Sequence, residues 1–429
     1  MLQTYRMLPT MDSRRIFQVQ NRRKFITWLW QVVLLAVVYH LAVRLGLSMA
    51  YLQSNTSPVW PPTGIALAAL LLFGTSRWPG ITLGVLLGSL LTGAPFDLAL
   101  GMSIGNTLEA FLAAYILQRY VHFHPAMDRV RDVVGLVIVA IFSTMISATV
   151  GASTLVLLNL APTEAFGSIW ITWWIGDLLG ALVVAPFILV WSNFEITRVD
   201  RKKFLEAALA FVLLGIVTWY VFIYPTSQSI YHQALVYLIF PFVIWTAIRF
   251  GQRGGTTAVI MVSAMAIWAT VADLGPFSLH SKNDNLILLQ TFLGVVSLTS
   301  LILAAATTER SRAARALQRR ADDLATLNES SRIFLDENNL ASIYQTICDQ
   351  AISRIGLDAV WIERKEMVGG QPDPLTSSGI SNAAIRQLDL ATYTLTHSED
   401  PEQIYVYALD GIAPTGNASP SPFKSLAVV

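Results

Sequence analysis

Apolar residues dominate ten long stretches of this chain, and short polar gaps separate them. The stretches run over residues 25–47, 59–74, 79–93, 97–118, 131–160, 168–192, 204–224, 234–250, 254–275 and 286–308. Most approach the ~20 residues that an α-helix needs to cross the hydrocarbon core of a bilayer. A helix suits such a segment because it satisfies its own backbone hydrogen bonds where no water can. The pattern predicts an all-α polytopic membrane bundle of about ten transmembrane helices. The third stretch is short for a span and the fifth is long. The first is too long for the apolar region of a cleavable signal peptide, and no small-residue cleavage site follows it, so it reads as a retained anchor.

Beyond Thr308 the pattern changes. Residues 309–328 are charged and helix-favouring, with Leu317 and Leu324 seven apart and Ala314 and Ala321 likewise. Two heptads suit a parallel coiled coil, and with it a homodimer through this linker helix. A juxtamembrane amphipathic helix continuing the last span fits the same residues. From residue 329 the chain reads as a small α/β unit. Residues 340–355 place Ile343, Ile347, Ala351 and Ile355 at four-residue spacing, as an amphipathic helix does. Residues 358–364 and 403–409 read as strands, the second alternating Ile404, Val406 and Ala408, and 382–393 reads as a helix. The apolar run 423–429 looks like a strand that lacks its next partner, so the chain is expected to be truncated inside a domain. Four regions result: an N-terminal segment 1–24, a membrane domain 25–308, a linker helix 309–328 and a partial α/β domain 329–429.

Composition agrees. The chain is 54% hydrophobic and 13% charged, where soluble domains carry about 25% charged residues. Its net charge of +1 conceals a strong asymmetry. Lys and Arg fall in every second gap: Arg14, Arg15, Arg22, Arg23 and Lys24, then Arg77, then 119–131, then 198–203, then Arg249 and Arg253, then 310–320. In the gaps between these, Lys282 is the sole basic residue. Positive charge stays on the cytoplasmic side of a membrane, so the alternation places both termini in the cytoplasm. Topology accounts for the basic clusters, and no nucleic-acid partner is expected; the lipid bilayer is the predicted environment. Cys348 stands alone, so the chain forms no internal disulfide.

Ionisable groups inside spans are costly, and each is a candidate site residue. His40 and Arg44 lie four apart on one face of the first span. Asn106 and Glu109 share a face of the fourth. With the fourth and sixth spans running inward, Glu109 falls ~18 Å and Asp177 ~13 Å below the outer end of its span. These five residues fit a polar pocket, open to the outside, for a small ligand or ion. They also fit a buried structural salt bridge from Arg44 to Asp177 or Glu109. The two readings are compatible.

Trp60, Pro61, Pro62 and Gly64 open the second span. Two prolines tolerate a helix start, where their missing N–H groups cost nothing, and Trp60 is placed to anchor at the outer interface. Gly80, Gly84 and Gly88 recur every four residues, as do Gly176 and Gly180. Such stripes let neighbouring helices pack closely. His122 and His124 flank Phe123, yet no cysteine or acidic cluster completes a metal site there. There is no phosphate-binding loop, no catalytic triad order and no zinc-ligand spacing, so neither a cofactor nor a catalytic residue is assigned.

Several of these motifs together resemble the first type of bacterial membrane-associated sensor (MASE) domain. They are Val59 to Ala66, Trp78-Pro79-Gly80 with Leu83-Gly84, Gly105 to Glu109, and Trp173-Trp174-Ile175-Gly176-Asp177 through Gly180, followed by Ala185-Pro186. Order and spacing match over about residues 25–308. The tail, with Leu327-Asn328-Glu329 and Asp358 to Trp361, resembles the first part of a GAF domain. The resemblance implies the inner-membrane sensory input of a histidine kinase or of a cyclic-di-GMP enzyme. No GGDEF, EAL or kinase segment appears, so catalysis is not expected of this polypeptide. A small-solute transporter or a transporter-associated regulator is the alternative, since about ten spans with buried charges would suit one.

Overall fold

The computed structural model describes residues 13–49, 57–192, 201–223, 234–278, 281–336, 340–355, 359–364, 374–379, 404–409 and 426–428. The chain divides into two compact units after Ala314. The predicted helix at 382–393 lies outside the described residues.

The first unit is helical. Its elements are α1 (Ser13–Ser48), α2 (Pro61–Phe73), α3 (Trp78–Leu91), α4 (Phe96–Ile116), α5 (Val130–Leu157), α6 (Phe166–Ser192), α7 (Arg201–Phe222), α8 (Ile239–Val271) and the beginning of α9 (Lys282–Asp336). Among the described residues, seven helical segments are long and apolar enough to cross a bilayer. Leu34, Phe142, Leu157 and Phe204 point outward and are exposed by 61, 65, 79 and 63%. A surface this apolar belongs against lipid tails rather than water.

Two clusters form the interior. One joins α1 to α6 around Tyr39, Leu70, Ile81, Leu117, Leu136 and Leu189. The other joins α6 to α9 around Leu179, Leu214, Phe222, Ile239, Val262 and Leu293. Helix α6 supplies both, Leu182 and Ala185 to the first, Leu179 and Val183 to the second.

Three details differ from the sequence expectation. Helices α2 and α3 have 13 and 14 residues, shorter than a full span. Pro61 and Pro62 start α2 inside the bundle, where the Trp60 N–H donates to the Gly176 carbonyl at 2.9 Å. Trp60 is therefore packed among helices rather than standing out as an interfacial anchor, and its ring occupies the space beside Gly46. Lastly, the division into units falls inside the linker, within the unbroken helix α9, and not at its start. Contacts from Glu309 and Arg312 explain the position: Glu309 accepts from the Val130 N–H at 3.0 Å, and Arg312 pairs with Asp128.

The eighth and ninth apolar stretches meet at Gly251, whose backbone (φ 61°, ψ −147°) is not helical. A Cβ on Gly254 would lie 2.3 Å from the Thr246 carbonyl oxygen. In a straight helix those residues stand ~12 Å apart along the axis. The chain doubles back here. Both ends of the hairpin accordingly reach one aromatic ring: Phe240 and Phe277 lie 6.3 and 5.6 Å from Phe292.

Contacts also gather the basic gaps at one end of the bundle. Trp28 donates to the Ser76 carbonyl at 3.0 Å, and Arg77 to the Gln31 side chain at 3.0 Å. Gln118 reaches the Leu70 carbonyl at the end of α2. Gln252 spans the Met127 and Leu301 carbonyls at 2.7 and 3.1 Å, and Arg249 pairs with Glu206. At the opposite end, Gln290 donates to the Pro58 carbonyl at 3.2 Å.

The second unit holds α10 (Leu340–Gln350), a π turn over Ala351–Ile355, and an antiparallel sheet of order β2-β1-β3-β4. Its strands are β1 (Ala359–Arg364), β2 (Pro374–Ser378), β3 (Ile404–Leu409) and β4 (Leu426–Val428). The register pairs Val360 with both Ser378 and Ala408, and Tyr407 with Val428. Alternation of side chains sends Val360 and Ile362 to the face covered by Cys348, Tyr344 and Ile347 of α10. Burial pushes the Cys348 thiol up to about 11, which makes it a small apolar core residue.

Candidate functional site: a carboxyl pair beneath an apolar cavity

Glycine positions bring the site together. A Cβ on Gly180 would sit 2.1 Å from the Trp60 carbonyl oxygen, and one on Gly64 would sit 2.3 Å from the Gly180 carbonyl oxygen. No other residue permits backbones this close. The approach of α2 to α6 lets the Thr63 hydroxyl donate to Asp177 Oδ1 at 3.1 Å. Gly80, Gly84 and Gly88 do the same for α3 against α1, facing Val32, Tyr39 and Val43. On α4, Gly105 faces Val150 of α5.

Around Asp177 stand Glu109 of α4, Ser147 of α5 and Thr63 of α2, all within interaction range of the carboxyl pair. Asp177 is fully buried and Glu109 is 2% exposed. The Asp177 Oδ2 atom has no hydrogen-bond partner among the described residues, and neither Glu109 oxygen makes a well-formed bond. Asn106, one helical turn before Glu109, accepts from the Tyr39 hydroxyl at 3.1 Å and donates to the Met102 carbonyl at 2.9 Å. That amide is satisfied; three of the four carboxyl oxygens are not.

A cavity of about 510 Å³ rises from Asp177 and Asn106. Tyr39, Trp60 and Trp173 form aromatic wall, and the turns at Thr92 to Ala94 and at Leu160 and Ala161 form the rim. The rim lies at the end of the bundle opposite the basic gaps.

Of the five polar residues singled out from the sequence, Asn106, Glu109 and Asp177 converge. His40 and Arg44 do not join them. His40 is half-buried and outside the cavity, and Arg44 is exposed. The inward face of α1 is carried by Val32, Leu35, Ala36, Tyr39, Ala42 and Val43. The salt bridge from Arg44 to Asp177 or Glu109 is accordingly absent: the ion pairs among the described residues are Arg249–Glu206 and Arg312–Asp128.

The remaining motif residues are structural in what they touch. Trp174 donates to the Ile141 carbonyl at 2.9 Å and stacks on Trp170. Pro186 is buried within α6, Pro79 sits in the first turn of α3, and Trp78 is 44% exposed. Sequence reasoning missed Tyr39, Ser147 and Trp173 as site residues. A signal existed for Ser147, which falls in a small-residue stripe with Ser143 and Gly151 at four-residue spacing.

Comparison with known proteins completes the picture. No solved structure matches the chain. A curated relative, the probable diguanylate cyclase DgcE of Escherichia coli (strain K12), is 24% identical over 254 residues. That match covers 55% of this chain and 21% of the relative, so the chain spans about a fifth of that protein's length. The MASE1 profile matches residues 31–311. With its apolar multi-helix bundle, the chain belongs to the MASE1 family of membrane-associated sensor domains.

Proposed function

We infer that this chain is the sensory input module of a bacterial signal-transduction protein of the histidine-kinase or cyclic-di-GMP lineage. Its rim faces the periplasm, and both termini lie in the cytoplasm. A stimulus at the cavity alters the packing of α4 and α6, and α9 passes the change to a cytoplasmic output. The tail that follows is a partial GAF-like domain.

One observation carries this reading. The helices that hold Asn106, Glu109 and Ser147 are tied to α9 through the connection between α4 and α5. Gln252 clamps Met127 of that connection to Leu301, Asp128 pairs with Arg312, and Val130 donates to Glu309. A shift of α4 or α5 therefore acts directly on the base of the output helix. Such coupling requires the stimulus to favour one of two packings of the bundle.

The test is a chimaera in which residues 1–336 precede a diguanylate cyclase domain, with cyclic-di-GMP measured in cells. Asp177→Asn and Glu109→Gln should each change output at least about fivefold, the lower range of coupling energies between linked sites. Membrane insertion should be unchanged. Unaltered output in both variants, with normal insertion, removes the sensory reading. Solute uptake by vesicles holding only this chain would instead establish the transporter.

A further inference from the structure

The carboxyl pair has no positive charge to answer it. Asp177 and Glu109 sit side by side at the centre of the bundle, with no Lys, Arg or His paired to either among the described residues. Buried carboxyl groups in a low-dielectric interior are costly unless a cation or a set of donors neutralises them. Asp177 lines the cavity, and its buried Oδ2 has no hydrogen-bond partner among the described residues. The aromatic residues Tyr39, Trp60 and Trp173 line the same cavity. The faces of such rings are electron-rich and attract cations, quaternary ammonium groups in particular. Finally, about 510 Å³ is the size of a site for a small organic molecule. A bare metal ion needs far less room, and among the described residues no group of three or more Asp, Glu, His or Cys side chains stands together to hold one.

We propose that the cavity binds a small organic ammonium compound, with its cationic head against Asp177 and its apolar body among Tyr39, Trp60 and Trp173. Glu109 stands behind Asp177, within interaction range of it. As a binding site this stands on the cavity alone; as the stimulus of the sensor it rests on the reading above.

The experiment uses the purified full chain in lipid nanodiscs and follows tryptophan fluorescence and binding heat. The probes are choline, n-butylammonium and putrescine, each set against an uncharged isostere (3,3-dimethylbutan-1-ol for choline), with sodium chloride alone as a further arm. At least one ammonium compound should bind saturably and at least about tenfold more tightly than its isostere. Asp177→Asn should weaken it by a similar factor, and Trp173→Leu should weaken it too. If Asp177→Asn does not fold, the Trp173→Leu comparison decides. Binding by none of the three ammonium compounds, equal binding of the isosteres, or binding indifferent to the folded variants overturns the proposal. Applying the same compounds to the cyclase chimaera separates the two ideas. Binding without a change in output removes the sensory role and leaves the site. An output that depends on Asp177 without any ammonium binding removes the ligand class and leaves the role.

Discussion

At Gly180 a single hydrogen in place of a methyl group sets the geometry of the site. The atom facing that position is a backbone carbonyl oxygen, so it cannot rotate aside as a side chain would. Gly180→Ala must separate α2 from α6 or strain both. Overpacking of this kind costs about 1–3 kcal/mol, and it pulls the Thr63 hydroxyl away from Asp177. Gly167, in the first turn of the same helix, offers the control, because a Cβ there meets nothing within 4 Å. Gly167→Ala should be neutral or stabilising by up to about 1 kcal/mol from helix propensity. Thermal unfolding of both variants in detergent checks the pair, and equal melting temperatures would contradict the packing argument. Residue chemistry was legible where it broke the apolar background. Asn106, Glu109 and Asp177 stand out in their spans, and a buried carboxyl group asks for an explanation. Tyr39 and Ser147 did not stand out, since one hydroxyl in a span carries little cost. The sequence groups Arg44 with the carboxylates by depth in the bundle, and four-residue spacing places it on the His40 face. Spacing alone does not say which face of α1 turns inward, and Tyr39 and Val43 on the neighbouring face took that place.

Helices were read well as apolar runs and less well as shapes. The split between residues 250 and 254 came from two arginines, while the turn itself is made by the glycine between them. The backbone angles at Gly251 belong to a region open almost solely to glycine. Gly251→Ala should therefore destabilise the hairpin by about 1–3 kcal/mol and loosen Gln252 from Met127 and Leu301. The thermal midpoint of this variant should fall, whereas Gly215→Ala, with its nearest neighbour the end of Met261 at 3.5 Å, should not. The short helices α2 and α3 were harder to foresee. A length rule asks each apolar run to reach across the bilayer, but α2 begins within the bundle, where Gly176 accepts its leading N–H. Helix α9 shows the reverse case, with pattern and structure agreeing on one continuous helix. Leu317 and Leu324 remain exposed on it by 65 and 66%, which suits the seam of a parallel dimer. In a Cys348→Ser background, a cysteine at Ala321 should cross-link between copies, and Leu317→Glu with Leu324→Glu should abolish that product. Cross-linking that persists in the double variant would show that pairing arises elsewhere.

Orientation belongs to the whole molecule, because no single helix determines it. The sequence predicts it from alternation, and an alternation of charge becomes an asymmetry only if the fold returns every second gap to one end. The contacts do this: residues 28–31 meet 76–77, residues 127–130 meet Gln252 and α9, and Arg249 meets Glu206. Basic residues crowded at one end repel each other, which is tolerable where anionic headgroups and an inward-negative potential face them. We propose on this ground that this end is cytoplasmic and that the cavity rim at Thr92 to Ala94 and Ala161 is periplasmic. Alkaline phosphatase joined after Ala161 should be active and the same enzyme joined after Lys202 inactive, while a fluorescent protein that matures only in the cytoplasm should give the opposite pair. Neutralising one gap alone, for instance Arg201, Lys202 and Lys203 to Gln, should leave the result unchanged, since five other basic gaps still hold the molecule in place. Were the phosphatase pattern reversed, the cavity would open to the cytosol, and a ligand for the Asp177 floor would have to be an intracellular cation.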